Sequence, residues 1–206
     1  MPRALSRTLW TLGALLSVAI AFYAYRYMAP ATPAPPGVRA NPFFSPFLLL
    51  HVTGAATALL VGPFQFLAGL RARRPALHRA LGRLYVAGCL VGGLAGLVLS
   101  LGSTAGPIAT AGFGLLALAW LWTTVQAVRH AIARRIPEHC AWMIRSFALT
   151  FAAVTLRLYL PLAAISGLPM REAYLAIAFL CWVPNLAIAE LWLRRPSWTP
   201  ASTIGA

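Results

Sequence analysis

The sequence predicts an all-α polytopic membrane bundle of six transmembrane helices, with a four-helix core made by the second to fifth. Three observations predict it. Sixty per cent of the residues are hydrophobic and only 10% are charged, whereas a soluble domain carries roughly 25% charged residues. The apolar residues gather into six runs, each reaching the ~20 residues needed to cross ~30 Å of hydrocarbon as a helix. No run shows the two-residue alternation of a barrel strand, and a helix satisfies its own backbone in lipid. The runs are Thr8 to Met28, Phe43 to Leu70, Ala80 to Leu101, Pro107 to Ile132, Cys140 to Ile165 and Ala173 to Leu193, and residues 1–206 read as one membrane domain.

The first run starts on Arg3 and Arg7 and has small residues, Ala29 and Ala31, at its far end. That pattern resembles a cleavable leader, but its apolar stretch is long and Arg26 stands close to the cleavage position, so a retained helix is expected. Pro30, Pro33, Pro35, Pro36 and Pro42 make the following loop an extended one.

The second run is long and is expected to tilt or to project beyond the bilayer. It places His51 and Gln65 within about 40° of one face, with Gly54, Ala55 and Gly62 between them. Small residues there allow close approach by another helix or by a flat ligand. The third run opens on His78-Arg79-Ala80-Leu81-Gly82-Arg83-Leu84-Tyr85. His78, Gly82, Tyr85, Cys89, Gly92 and Gly96 alternate spacings of four and three, which marks a packing seam.

The fourth run ends with Gln126 and His130 on one face. The fifth carries His139, Ser146, Thr150 and Arg157 within about 20° of one line, with Met143 beside them. Such a stripe is costly against lipid and is expected to face the bundle interior. Arg145 points elsewhere and reads as a snorkelling or interhelical group. In the sixth run Pro184 and Asn185 are placed to break the helix and free backbone groups. Glu190 is placed to pair with Arg145, with an inner histidine, or with Arg194 one turn on.

Charge sets the orientation. There is no Asp or Lys; the acids are Glu138, Glu172 and Glu190, and all 17 basic residues are Arg, for a net charge of +14. Arg in place of Lys beside abundant Ala, Leu, Gly and Pro suggests a GC-rich bacterial source. Arg3, Arg7, Arg71, Arg73, Arg74, Arg79, Arg83, Arg129, Arg134, Arg135, Arg194 and Arg195 all fall on one side of a six-helix chain. Only Arg26, Arg39 and Arg171 fall on the other. Positive residues mark the cytoplasmic side, so both termini are expected in the cytoplasm, across a bacterial inner membrane. The basic excess thus reads as topology and not as nucleic-acid binding. No acid pair, nucleophile elbow or phosphate loop points to a soluble-type enzyme, and Cys89, Cys140 and Cys181 form no C-x-x-C or disulfide framework.

The candidate chemistry divides by depth. His78, His130 and His139 share the arginine-rich level and come from three helices; they are the candidate ligands of a haem or a metal, with structural use or a proton relay as the alternatives. His51, Gln65, Thr150 and Arg157 are the candidate lining of a small-molecule or anion site toward the midplane and outer half.

His51 with Gly54, the motif from His78-Arg79 through Gly82-Arg83 to Tyr85, and His139 through Trp142, Met143, Ile144 and Arg145, with Arg157 beyond, resemble a family of bacterial predicted membrane proteins defined by a domain of unknown function. The likeness runs from about Phe47 to Leu162 and implies a multi-pass protein without an assigned reaction. A more distant likeness is to the di-haem four-helix cytochromes b and ferric reductases. Those pair histidines about four turns apart on one helix; here the residue four turns from His51 is Gln65, so two bis-histidine haems are not expected. The small histidine-containing proteins that assist haem-copper oxidase assembly are similar in size and histidine placement only.

Three functions follow as expectations: a redox or haem-handling protein holding haem b through the inner-side histidines; a transporter or binder of a small molecule or anion; and a structural or assembly partner of a membrane complex.

Overall fold

The computed structural model describes residues 3–29 and 32–195. Every regular element among the described residues is helical. Helix α1 (Arg3–Tyr25) runs into a 3-10 turn, Arg26–Met28, and α2 (Pro36–Arg39) is a single turn in the following loop. Then come α3 (Phe44–Val61), a 3-10 turn at Pro63–Phe66, α4 (Ala68–Arg73), α5 (Pro75–Leu101) and α6 (Pro107–Ile132). α7 (Ile136–Thr150), α8 (Ala152–Ile165), α9 (Met170–Leu180) and α10 (Val183–Leu193) follow.

These elements make six membrane-spanning segments: Thr8–Met28, Phe44–Phe66, Pro75–Leu101, Pro107–Ile132, Ile136–Ile165 and Met170–Leu193. The protein is a multi-pass membrane protein, as its composition requires. The third and fifth spans start earlier than their apolar runs because Pro75 and Pro137 sit in the first helical turn, where a missing N–H costs nothing.

The core is the second to fifth spans. α3 packs most extensively on α5, α5 on α6, α6 on α7, and α7 closes the ring against α3. α1 lies outside against α3 and α8, α9 against α6 and α8, and α10 against α7. Burial agrees: 17% and 22% of the most apolar windows of the first and sixth spans are buried, against 28% or more in the core spans. Leu15, Phe22, Leu94, Leu118, Trp122, Ile188 and Leu191 project outward. In a bilayer such side chains cost nothing, so association rests on close packing and hydrogen bonds. At the α3–α5 crossing a β-carbon on Gly54 would stand 2.5 Å from the Gly92 nitrogen and 2.6 Å from the Gly88 oxygen, so the two backbones touch.

Three departures from the expected elements have local causes. The second run is not one long helix: it turns at Gly62-Pro63, where proline has no N–H to continue the ladder, and α4 carries its arginines away as a separate segment. The loop after α1 is not simply extended. Pro36 starts α2, the Thr104 hydroxyl donates to the Gly37 carbonyl at 2.9 Å, and Asn41 Nδ2 donates to the Leu99 carbonyl at 2.8 Å. Pro30 and Ala31, named above for that loop and for the leader reading, lie outside the described residues. The fifth span tightens at Phe151, where Val154 N–H bonds back three residues to the Phe151 carbonyl at 2.9 Å. The sixth span is interrupted as expected, at Cys181 and Trp182 just before Pro184.

Candidate functional site along the core axis

α5 and α7 start at the same, arginine-rich end and run in the same direction through the core. Tyr85 on α5 is fully buried, and its hydroxyl lies 2.9 Å from Ser146 Oγ on α7, a partner 61 residues on. The same offset relates His78 to His139, which lie within electrostatic reach of each other, and Cys89 to Thr150, whose hydroxyl lies beside the thiol. The two seams read from the sequence therefore face each other in register.

The buried part of this seam is a closed hydroxyl network. Tyr85 Oη is also 2.9 Å from Thr150 Oγ1, Trp120 Nε1 donates to Thr150 Oγ1 at 2.8 Å, and Thr124 Oγ1 is 2.8 Å from Ser146 Oγ. Thr150 Oγ1 donates its proton to the Ser146 carbonyl at 2.9 Å. A hydroxyl has one proton to give. With Thr150 spent on that carbonyl, Tyr85 must donate to Thr150, Ser146 to Tyr85, and Thr124 to Ser146. One direction of donation thus satisfies every group, which suits a core where an orphaned hydroxyl is costly.

Two turns below Tyr85, at the arginine-rich mouth, the accounting does not close. His139 Nδ1 lies 2.9 Å from the Ala127 carbonyl. A carbonyl only accepts, so Nδ1 carries a proton, and in the neutral ring this fixes the tautomer with Nε2 as the acceptor. His78 is half-buried, and its Nδ1 is buried without a hydrogen-bond partner. Gln65, only 5% exposed, has a buried Nε2 that is likewise unpartnered. Its Oε1 faces Gly82, where a β-carbon would sit 3.3 Å away. Arg71 donates to the Gln65 and Phe66 carbonyls at 3.5 and 3.4 Å. His78 lies within electrostatic reach of both Arg71 and His139. Three spans and the Ala127 carbonyl of a fourth thus converge at this mouth.

His130 does not join them in a metal centre. It stands in the last turn of α6, beyond the carbonyl that holds His139, and among the described residues no three His, Cys, Asp or Glu side chains gather as a metal group. Gln126 below it accepts from Arg129 at 3.4 Å.

Of the four residues expected to line an outer-half site, His51 and Arg157 lie within electrostatic reach of each other, and Gln65 and Thr150 are placed elsewhere. His51 Nδ1 bonds the Gly92 carbonyl across the helix crossing at 2.8 Å, and Gly96 leaves room for its ring. Thr150 belongs to the hydroxyl network. Gln65 sits on the 3-10 turn at the opposite end of the span, because the chain leaves the α3 helix at Gly62. Arg157 donates to the Ala153 carbonyl at 3.0 Å, on the side of Tyr23 and Tyr27 of the first span, not along the core axis. The stripe was projected through Phe151, where the helix tightens and its phase changes.

Sequence reading missed Trp120 and Thr124, although Trp120, Thr124 and Ala127 follow the same four-three spacing as the α5 seam. It found the partner of Glu190 among three candidates: Arg145 Nε and Nη2 meet its two oxygens at 2.5 and 3.0 Å, and the guanidinium lies 4.7 Å from the Trp142 ring centre. The helix break before Pro184 leaves no free carbonyl for a ligand at Cys181, because Thr155 Oγ1 and Asn185 Nδ2, the latter at 3.0 Å, both donate to it.

A family model described as "Predicted membrane protein (DUF2306)" matches residues 48–193, from α3 to the end of α10. No curated protein and no solved structure matches the chain.

Proposed function

We propose, from the premise that the chain belongs to the DUF2306 family of predicted membrane proteins, that it binds a flat redox-active ligand of the haem class at the mouth of its four-helix core. The observation that carries this reading is the pair His78 and His139, within electrostatic reach of one another: His78 Nδ1 is buried without a hydrogen-bond partner, and His139 is oriented by its Nδ1 bond to the Ala127 carbonyl. A bonded Nδ1 that frees Nε2 is the second-shell arrangement of a metal-ligating histidine. The mouth opens on the arginine-rich side, and the twelve-to-three arginine split supports a cytoplasmic mouth, cytoplasmic termini and a bacterial inner membrane.

The test is an absorption spectrum of the full-length protein purified from cells supplied with haem. The expected result is a Soret band that shifts on reduction with dithionite, is lost in His78→Ala and His139→Ala, and persists in His130→Ala. A wild-type protein without that band overturns the proposal. The unpartnered Gln65 Nε2 favours a second reading, in which the mouth takes a small polar or anionic molecule that accepts a hydrogen bond. Thermal stabilisation by an anion and quinone panel, abolished by Gln65→Ala and not by loss of haem supply, identifies that case.

A further inference from the structure

A groove of about 360 Å³ lies away from the core axis, between α1 and α10. Ile144, Phe147 and Ala148 of α7 form its floor, and Trp10, Ala189 and Trp192 its walls. Its lining is almost wholly apolar, and the volume falls in the range of small-ligand sites. We infer that it holds one acyl chain of an anionic phospholipid whose headgroup rests on Arg194 and Arg195.

Depth and charge select this occupant. The groove follows α7 from Ile144 to Phe151 and α10 from Trp192 to Asn185. Seven residues of helix rise about 10 Å, which lies within one leaflet of a bilayer whose hydrocarbon is ~30 Å thick. The groove is therefore a one-leaflet slot, too short for a ligand that crosses the membrane. Its deep end is apolar apart from Asn185, whose amide is committed to the Ala148, Cys181 and Thr155 oxygens. Its mouth is at Trp192, an interfacial residue type, and Arg194 and Arg195 follow at once, both exposed. The neighbouring acid, Glu190, is held by Arg145 and so presents no bare negative charge to a phosphate. Arg194 also lies within electrostatic reach of Glu190, but that one carboxylate is shared with Arg145, so a neutral lipid would fill the slot and leave a net positive charge at its mouth.

The test reconstitutes the full-length protein in an equimolar mixture of phosphatidylcholine and phosphatidylglycerol, then measures retained lipid by native mass spectrometry after mild detergent extraction. One retained lipid is expected, enriched several-fold in phosphatidylglycerol. Arg194→Gln combined with Arg195→Gln should keep one lipid and lose the enrichment. Ala148→Phe combined with Ala189→Phe fills the slot and should retain none. The inference is overturned if the wild type retains no lipid, or retains both lipids in the mixed ratio, or if the filled variant retains the same lipid while keeping its helical circular dichroism. It is equally overturned if the protein is a lipid-free dimer cross-linked through α1 and α10. Should the filled variant fail to fold, quenching decides: phosphatidylglycerol with a brominated chain should quench the wild type more than Trp10→Phe combined with Trp192→Phe, and equal quenching refutes the slot.

Discussion

Tyr85 Oη lies 2.9 Å from Ser146 Oγ, and the register this bond sets carries down two turns to His78 and His139. A seam that is fully satisfied in its upper half is open at its lower end. The upper half locks α5, α6 and α7 together through Tyr85, Trp120, Thr124, Ser146 and Thr150. The lower half is where polar capacity remains.

Tyr85→Phe removes the central group of the network and leaves Ser146 without its acceptor. Interhelical hydrogen bonds in membranes average about 0.6 kcal/mol and reach about 1.7. A loss near the upper value is expected in a chaotrope or thermal unfolding series in detergent. Thr124→Val removes only the terminal donor and should cost less. The reverse order would refute Tyr85 as the central group of the network.

Gly54→Ala places a β-carbon against the α5 backbone, which has no side chain to move aside. Overpacking costs typically 1–3 kcal/mol, and the upper end is expected here. Gly69→Ala, in α4 with nothing within 4 Å of the new carbon, should be neutral or slightly stabilising. Equal effects at the two positions in the same assay would show that the α3–α5 contact is not what holds the core.

Arg145→Met strips Glu190 of its bidentate partner in a setting where the two side chains are 21% and 29% exposed. The single variant is expected to lose more stability than Arg145→Met combined with Glu190→Met, because breaking a pair strands a charge whereas replacing both removes it. A double-mutant cycle should give a coupling of about 0.5–3 kcal/mol. Zero coupling would reduce the pair to a surface contact.

Arg157→Gln should behave like the wild type, within about 0.5 kcal/mol, since its guanidinium serves the Ala153 carbonyl in its own helix turn. A larger loss, or a changed response to anions, would restore Arg157 to a ligand-binding role.

A fluorescent-protein fusion at the C-terminus should fluoresce, and an alkaline phosphatase fusion there should be inactive, if the arginine-rich side is cytoplasmic. The opposite pattern would invert the assignment of the mouth.

Six spans and the two seams were legible because each depends on properties local to one helix. Hydrophobic length decides insertion, and spacings of three and four decide which residues share a face. His78, Gly82, Tyr85 and Cys89 could be lined up that way, and so could His139, Met143, Ser146 and Thr150. That one set faces the other needed the tertiary structure, since no spacing within a helix encodes which neighbour it meets. Extrapolation failed wherever the backbone left ideal geometry: Gln65 was carried past the turn at Gly62-Pro63, and Arg157 past the tightened turn at Phe151. A helical wheel adds a fixed angle per residue, so one altered hydrogen bond rotates everything beyond it. Composition and periodicity thus determined that this protein crosses the membrane six times with its polar residues turned inward. Only the packed structure decided that His51, Arg157 and Glu190 are taken up by neighbouring groups, while His78, Gln65 and His139 keep unspent polar capacity at one mouth of the core.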